Sequence, residues 1–409
     1  MTTASAPLGG DEVARVFHEE WGRAVASLVR ILGDIDAAED AVQDAFEQAL
    51  RRWPESGIPP SPAGWIITTA RNRAVDRFRR ESTRGDRERE AALMVGDPAP
   101  SEEGPMGDDR LRLIFTCCHP ALAQEAQVAL TLRLICGLTT TQIARAFLVP
   151  EPTLAQRLVR AKSKIRDARI PYRVPDAAEL PVRLPPVLSV VYLVFNEGYL
   201  ASGGETLVRD DLASEGIRLA RLLVELMPDE GEAQGLLALV LLTEARRAAR
   251  VASDGSLVRL ADQDRALWRR DLIAEGHGLV RACIRRGQPG PYQVQAAIAA
   301  VHTDARSFAD TDWAQVVTLY DQLLVLAPTP VVELNRAVAV AELRGPQEGL
   351  EIVERLDLGQ WHLFHATRAE LLARLRRTSE ARVAFERALE LVTNDAERRH
   401  LETRLAALG

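Results

Sequence analysis

The sequence predicts an all-α protein, and three observations support this fold class. Apolar residues recur at helical spacing almost throughout the 409 residues, whereas runs of β-branched residues are scarce. Segments rich in proline, glycine and charge interrupt this pattern at 84–107 and 171–186. A chain of this length is longer than a single domain with one hydrophobic core usually is, so we expect several helical domains.

The first predicted domain, 11–83, contains three helices. The first two are separated at 33–36, where Asp36 can cap the second helix. A connector rich in proline follows, and the third helix runs from Pro62 to about Arg80. An acidic linker at 84–107 then separates this domain from the next, because the segment has no apolar periodicity.

A second helical domain is predicted at 108–170 and contains a helix-turn-helix pattern. Thr139 followed by Gln142 is typical of a capping box at the start of a short helix. A tight turn around Pro150 leads into a second helix at 153–162, with apolar residues on one face and basic residues on the other. Such a helix can enter the major groove of DNA, although an ordinary helical hairpin is the alternative.

The charge distribution also favours a nucleic-acid partner. The net charge is −7, yet residues 1–175 hold 24 basic and 24 acidic residues, so the excess negative charge lies entirely in the C-terminal part. Residues 71–80 carry five Arg against one Asp, and residues 153–173 carry seven basic residues against one Asp. Two basic stripes in an acidic protein are typical of phosphate-binding surfaces, and solvated helix faces are the alternative.

Two further segments contain residue types that could form a site. Cys117, Cys118 and His119 are adjacent rather than spaced as metal ligands usually are, so we expect buried, reduced thiols and no metal. The segment 196–199 could be a polar site, a hinge or a contact of the C-terminal region, because no base or nucleophile accompanies it. No signal peptide or membrane span is visible, and a cytoplasmic location is expected.

Two motif blocks in the observed order resemble a known family. The first comprises 33–46 with Trp53, followed by 63–66 and 70–80, and the second comprises 137–162. They resemble regions two and four of extracytoplasmic-function (ECF) sigma factors, group 4 of the sigma-70 family of RNA polymerase sigma factors. The segments 170–175 and 193–199 are similar to the subgroup with a tetratricopeptide-like C-terminal extension, which we expect at 187–409 after a proline-rich linker at 171–186.

The resemblance implies three binding faces. Core RNA polymerase is expected to contact Asp40, Gln43 and Asp44. The −10 element of promoter DNA is expected to contact Arg71, Asn72, Arg73, Asp76, Arg77, Arg79 and Arg80. The −35 element is expected to contact Thr153, Gln156, Arg157, Arg160, Lys162 and Lys164.

The sequence departs from the usual recognition helix, because Pro152 precedes Thr153 and Gln156 precedes Arg157, so no promoter sequence is carried over. The resemblance implies a sigma factor that is not an enzyme and needs no cofactor. Its partners would be core polymerase, promoter DNA and a protein or peptide on the extension, which would regulate activity. A stand-alone helix-turn-helix regulator with a repeat sensor domain remains the alternative, and an enzyme built around Cys118 or the 196–199 segment is a third.

Overall fold

The computed structural model describes residues 10–81, 109–147, 149–199, 210–252 and 256–408. Within these ranges the chain is helical and forms no strand, apart from one isolated bridge between Val251 and Leu257. The helices divide into two compact units, Met1–Val190 and Val191–Gly409. The predicted all-α fold class is confirmed.

Three helices occupy the first predicted domain: α1 (Gly10–Leu32), α2 (Ile35–Ser56) and α3 (Pro62–Glu81). Gly33 ends α1 with φ +68°, and Asp34 then caps α2 by accepting a hydrogen bond from the Ala37 N–H at 2.8 Å. The expectation that Asp36 caps α2 was therefore wrong. The left-handed glycine ends the preceding helix at once, so the next extended residue is the one placed to cap.

The second predicted domain contains four helices: α4 (Asp109–Cys117), α5 (Gln124–Leu134), α6 (Thr140–Ala146) and α7 (Glu151–Asp167). The capping box is confirmed and reciprocal. The Gln142 N–H donates to Thr139 Oγ1 at 3.1 Å, and the Thr139 N–H donates to Gln142 Oε1 at 2.8 Å. Pro152 lies in the first turn of α7, where a missing N–H removes no intrahelical hydrogen bond.

Helix α8 (Leu180–Tyr199) begins inside the segment expected to be a proline-rich linker at 171–186, and it contains Pro185 and Pro186. Buried apolar residues on both sides of the prolines, among them Leu184 and Val187, favour the helix. The residues four positions before the two prolines, whose carbonyls lose their hydrogen bonds, are exposed, so these carbonyls can be solvated. The prediction of a linker over 171–186 was therefore wrong from Leu180 onward.

The C-terminal unit continues with α9 (Asp210–Leu226), α10 (Gly231–Glu244), α11 (Arg270–Arg286), α12 (Pro291–Asp304), α13 (Trp313–Leu326), α14 (Pro330–Arg344), α15 (Pro346–Val353), α16 (His362–Arg374), α17 (Thr378–Leu391) and α18 (Asp395–Ala406). Short 3₁₀ turns lie between α10 and α11. The helices pack mainly on their neighbours along the chain, as helical repeats do. The starts expected near Val331 and Trp361 agree with α14 and α16 to one residue.

Candidate nucleic-acid interface

Helix α7 presents most of the predicted −35 residues to solvent. Its apolar side is buried through Leu154, Leu158, Ala161 and Ile165, which recur at helical spacing. The adjoining side lines a groove of about 360 Å³ together with the segment 121–126. That side carries exposed Thr153, Gln156, Arg160 and Lys164 and half-buried Arg157. Donors in this arrangement can reach phosphates and base edges.

Lys162 lies apart from the exposed side of α7. Its Nζ donates to Asp36 Oδ1 at 2.8 Å and to Glu39 Oε2 at 2.7 Å, and its side chain is 15% exposed. Burial lowers the pKa of Lys162, but the carboxylates of Glu39 and Asp36 more than offset this and raise it. In this conformation Lys162 therefore joins the second predicted domain to α2 of the first.

Glu39 is the centre of this contact. Its side chain is 8% exposed, and its second oxygen accepts from the Arg133 guanidinium of α5. Arg133 also donates to the carbonyl of Leu138 at 3.1 Å, just before α6 begins. Sequence reasoning missed Glu39, Asp36 and Arg133. The available signal was a carboxylate between Ala38 and Ala41, on the apolar side of α2.

Close aromatic and backbone packing supports the same contact. A Cβ at Gly137, which has φ +75°, would lie 2.9 Å from Trp21 of α1, so this position of the motif needs glycine both for its backbone and for its space. Trp21 Nε1 donates to the carbonyl of Arg133 at 3.1 Å. The Tyr172 hydroxyl donates to the carbonyl of Ala26 at 2.7 Å, which ties the end of the second domain to α1.

The predicted polymerase and −10 faces meet in one ion cluster. Arg77 of α3 donates to Asp40 at 2.9 Å and to Asp44 at 3.3 Å, so the structure brings together residues assigned to different partners. Gln43 is exposed beside them. Of the other −10 residues, Asn72, Arg73 and Asp76 are exposed and Arg71 is half-buried. The side chains of Arg79 and Arg80 lie outside the described residues.

The residues of the other two candidate segments, 117–119 and 196–199, are packed inside the fold. Cys117 and Cys118 are buried and free, as expected, and burial raises the pKa of Cys118 to about 12, which disfavours a thiolate ligand. In the described part of the chain no cluster of His, Cys, Asp and Glu has the arrangement of a metal site. Gly198, in the 196–199 segment, lies at a close helix crossing, since a Cβ there would be 2.1 Å from the Ala213 nitrogen.

Three family models match parts of this chain. The chain matches Sigma-70 region 2 over residues 17–84, Sigma-70, region 4 over residues 112–165, and a family of unknown function, DUF6596, over residues 183–284. It is 44% identical over 395 residues to the uncharacterized protein R00370 of Rhizobium meliloti, covering 95% of this chain and 93% of that protein.

Two mycobacterial relatives carry functional names. The probable ECF RNA polymerase sigma factor SigI of Mycobacterium tuberculosis is 32% identical over 172 residues, 41% of this chain and 59% of SigI. The ECF RNA polymerase sigma factor SigK of Mycobacterium bovis is 29% identical over 159 residues, 38% of this chain and 80% of SigK. No solved structure matches.

The helix-turn-helix and the two matched regions define a helical protein of the sigma-70 class. More particularly, the chain carries sigma-70 region 2 and region 4 domains, shares this part with relatives named ECF RNA polymerase sigma factors, and has a C-terminal helical extension. None of the helices in the described ranges is both long and apolar enough to cross a membrane.

Proposed function

We propose that this chain binds core RNA polymerase, recognises −35 and −10 promoter elements and initiates transcription in the cytoplasm. The observation that carries the proposal is the exposed polar side of α7, which follows a capped helix in a matched region 4. The basic face of α3 supplies a second nucleic-acid surface in a matched region 2. Binding of DNA at either face involves no covalent reaction and no cofactor.

In the proposed division of labour, α2 serves the polymerase, α3 the −10 element and α7 the −35 element. Asp40 and Asp44 are four residues apart and lie on the same side of α2. Their ion pairs with Arg77 hold both carboxylates in place in the absence of polymerase. Lys162 would contact DNA only after leaving Glu39. The proposal therefore includes a separation of region 2 from region 4 on the way to the promoter complex.

Transcription in vitro with purified core polymerase tests the class of protein. We expect specific initiation from a cognate promoter only when this chain is added to core enzyme, because a sigma factor recognises promoters as part of the holoenzyme. The stand-alone regulator predicts tight, specific duplex binding without polymerase and no new start site. That second result would overturn the proposal.

The recognition helix gives a residue-level prediction. Replacing Arg157 or Arg160 with Ala should weaken binding of holoenzyme to the −35 element by about 1–3 kcal/mol for a bidentate base contact. The matched control is Arg166→Ala, an exposed arginine of the last turn of α7 outside the predicted set. Affinity would be compared on target and scrambled upstream sequences. Equal affinity of all three variants and the parent chain would remove Arg157 and Arg160 from the DNA face.

We further propose that the extension regulates this activity. Its 183–284 segment matches a family of unknown function, and the relative from Rhizobium meliloti is covered over nearly its whole length, so the extension accompanies the sigma regions in that protein too. A helical-repeat array offers a broad surface for a protein or peptide.

A further inference from the structure

Helix α7 exposes one large apolar side chain, Val159, beside the polar residues predicted to contact DNA. This side chain is 64% exposed. Within 109–147 and 149–167, the part of the second domain that the structure describes, no other large apolar residue is exposed. Single exposed apolar residues are common on protein surfaces, so exposure alone indicates no partner. What distinguishes Val159 is its position on the helix.

The helical repeat places Val159 next to the predicted −35 residues. Gln156 lies three residues before Val159, so the two side chains are neighbours on the helix surface. Arg160 follows Val159 directly, and both Gln156 and Arg160 are exposed. The buried side of α7, which contains Leu154 and Leu158, faces the other way. Val159 therefore borders the side of α7 that is proposed to meet DNA.

The neighbours of Val159 along the helix leave its methyl groups accessible. Pro152 and Ala155 precede it at helical spacing on the same side, and both are exposed. Neither side chain carries a polar atom. On the C-terminal side, Ser163 is half-buried, and its hydroxyl accepts a hydrogen bond from Arg166 at 3.3 Å. A partner that approaches the polar side of α7 thus meets an apolar side chain at its edge.

The major groove of DNA offers one apolar group that fits this position. Every base pair presents hydrogen-bond donors and acceptors there, but only thymine adds a methyl group, at C5. Glutamine and arginine side chains read adenine and guanine through paired hydrogen bonds and gain nothing from that methyl group. An exposed valine beside them can cover it and remove it from water. The residue types on this side of α7 are therefore suited to three different bases.

We propose that Val159 contacts the C5 methyl group of a thymine in the −35 element and sets the preference for thymine at that base pair. This inference rests on the proposed function, in which α7 enters the major groove. Burial of one methyl group corresponds to about a fourfold gain in affinity. The contact also discriminates against cytosine, which lacks the methyl group and presents a donor where thymine presents an acceptor.

The test replaces single thymines by deoxyuridine, which lacks only the C5 methyl group and keeps every hydrogen-bonding group. Duplexes are selected from a random pool by the holoenzyme, and affinity is measured for each substituted duplex. We expect one thymine at which deoxyuridine weakens binding of the parent by about fourfold. The same substitution should weaken binding of Val159→Ala by less than about 1.5-fold, because the contact is already lost. Val383→Ala, which changes a valine that is 63% exposed in the C-terminal unit, should respond as the parent does.

The inference is overturned if no thymine of the selected duplex is sensitive to deoxyuridine in the parent, or if Val159→Ala retains the full loss. A Val159→Ala protein that initiates poorly but responds to deoxyuridine as the parent does would place Val159 against polymerase, which overturns it as well.

Failure of the proposed function gives a different result, because the parent chain then does not initiate transcription with core polymerase. The selection and the deoxyuridine series are in that case run with the chain alone, and the same comparison of parent and Val159→Ala decides the role of Val159. A chain that selects no duplex in either form overturns both proposals.

Discussion

Glu39→Ala is expected to lower the free energy of unfolding of the N-terminal unit by about 3 kcal/mol, because it leaves two partly buried cations without their shared carboxylate. Lys162 and Arg133 have side chains 15% and 19% exposed, and both donate to Glu39. Lys162 would keep Asp36, and Arg133 would keep the carbonyl of Leu138, which places the expected loss at the lower end for a broken buried ion pair.

The matched control is Asp36→Ala. Asp36 contacts the same Lys162, but its side chain is 55% exposed, so solvent already screens the pair. We expect this variant to lose less than about 1 kcal/mol. Denaturant unfolding of both variants would measure the difference. Equal losses would mean that burial of Glu39 does not set the strength of this contact.

The same pair of variants tests the separation of regions 2 and 4. Amide hydrogen exchange should increase in α2 and α7 of Glu39→Ala and remain close to the parent in Asp36→Ala. Under the proposed function, Glu39→Ala leaves Lys162 held only by the exposed Asp36 and should not abolish transcription with core polymerase. Complete loss of transcription in a folded Glu39→Ala protein would contradict the proposed opening and place Glu39 in the polymerase contact.

Local features of the fold could be read from the sequence, because their partners are close along the chain. Thr139 and Gln142 are three residues apart, and the capping box follows from that spacing. The buried side of α7 follows from the recurrence of Leu154, Leu158 and Ile165. The cap of α2 was misplaced by two residues, because the choice between Asp34 and Asp36 depends on where the left-handed glycine ends α1.

The contacts that were missed join distant segments. Glu39 and Lys162 are 123 residues apart, and nothing in either motif indicates that they meet. Each motif indicates the residues of one face only. The pairing of Arg77 with Asp40 between two of those faces therefore became visible only in three dimensions.

Phe385→Ala should destabilise the C-terminal unit selectively, by about 3–5 kcal/mol. The Phe385 ring is fully buried in a cluster that includes Leu334, Phe364 and Leu372, so truncation leaves a cavity shared by α14, α16 and α17. Val383→Ala is the control on the same helix, since Val383 is 63% exposed and its loss should change stability by less than about 0.5 kcal/mol.

Because the chain forms two compact units, denaturant should reveal the effect as a shift of one transition. Hydrogen exchange should rise across residues 330–406 in Phe385→Ala and stay unchanged across 10–81. A uniform increase over both ranges would show instead that the two units unfold together. The same measurement on Val383→Ala should match the parent chain throughout.

The same two variants test the proposed regulatory role of the extension. If the extension controls the sigma regions, transcription by Phe385→Ala should differ from that of Val383→Ala and of the parent at a temperature where only the weakened unit is open. The sigma regions would still be folded under those conditions, so any change in output arises from the extension. Unchanged output with a demonstrably open C-terminal unit would remove regulation from the proposed function and leave the sigma activity untouched.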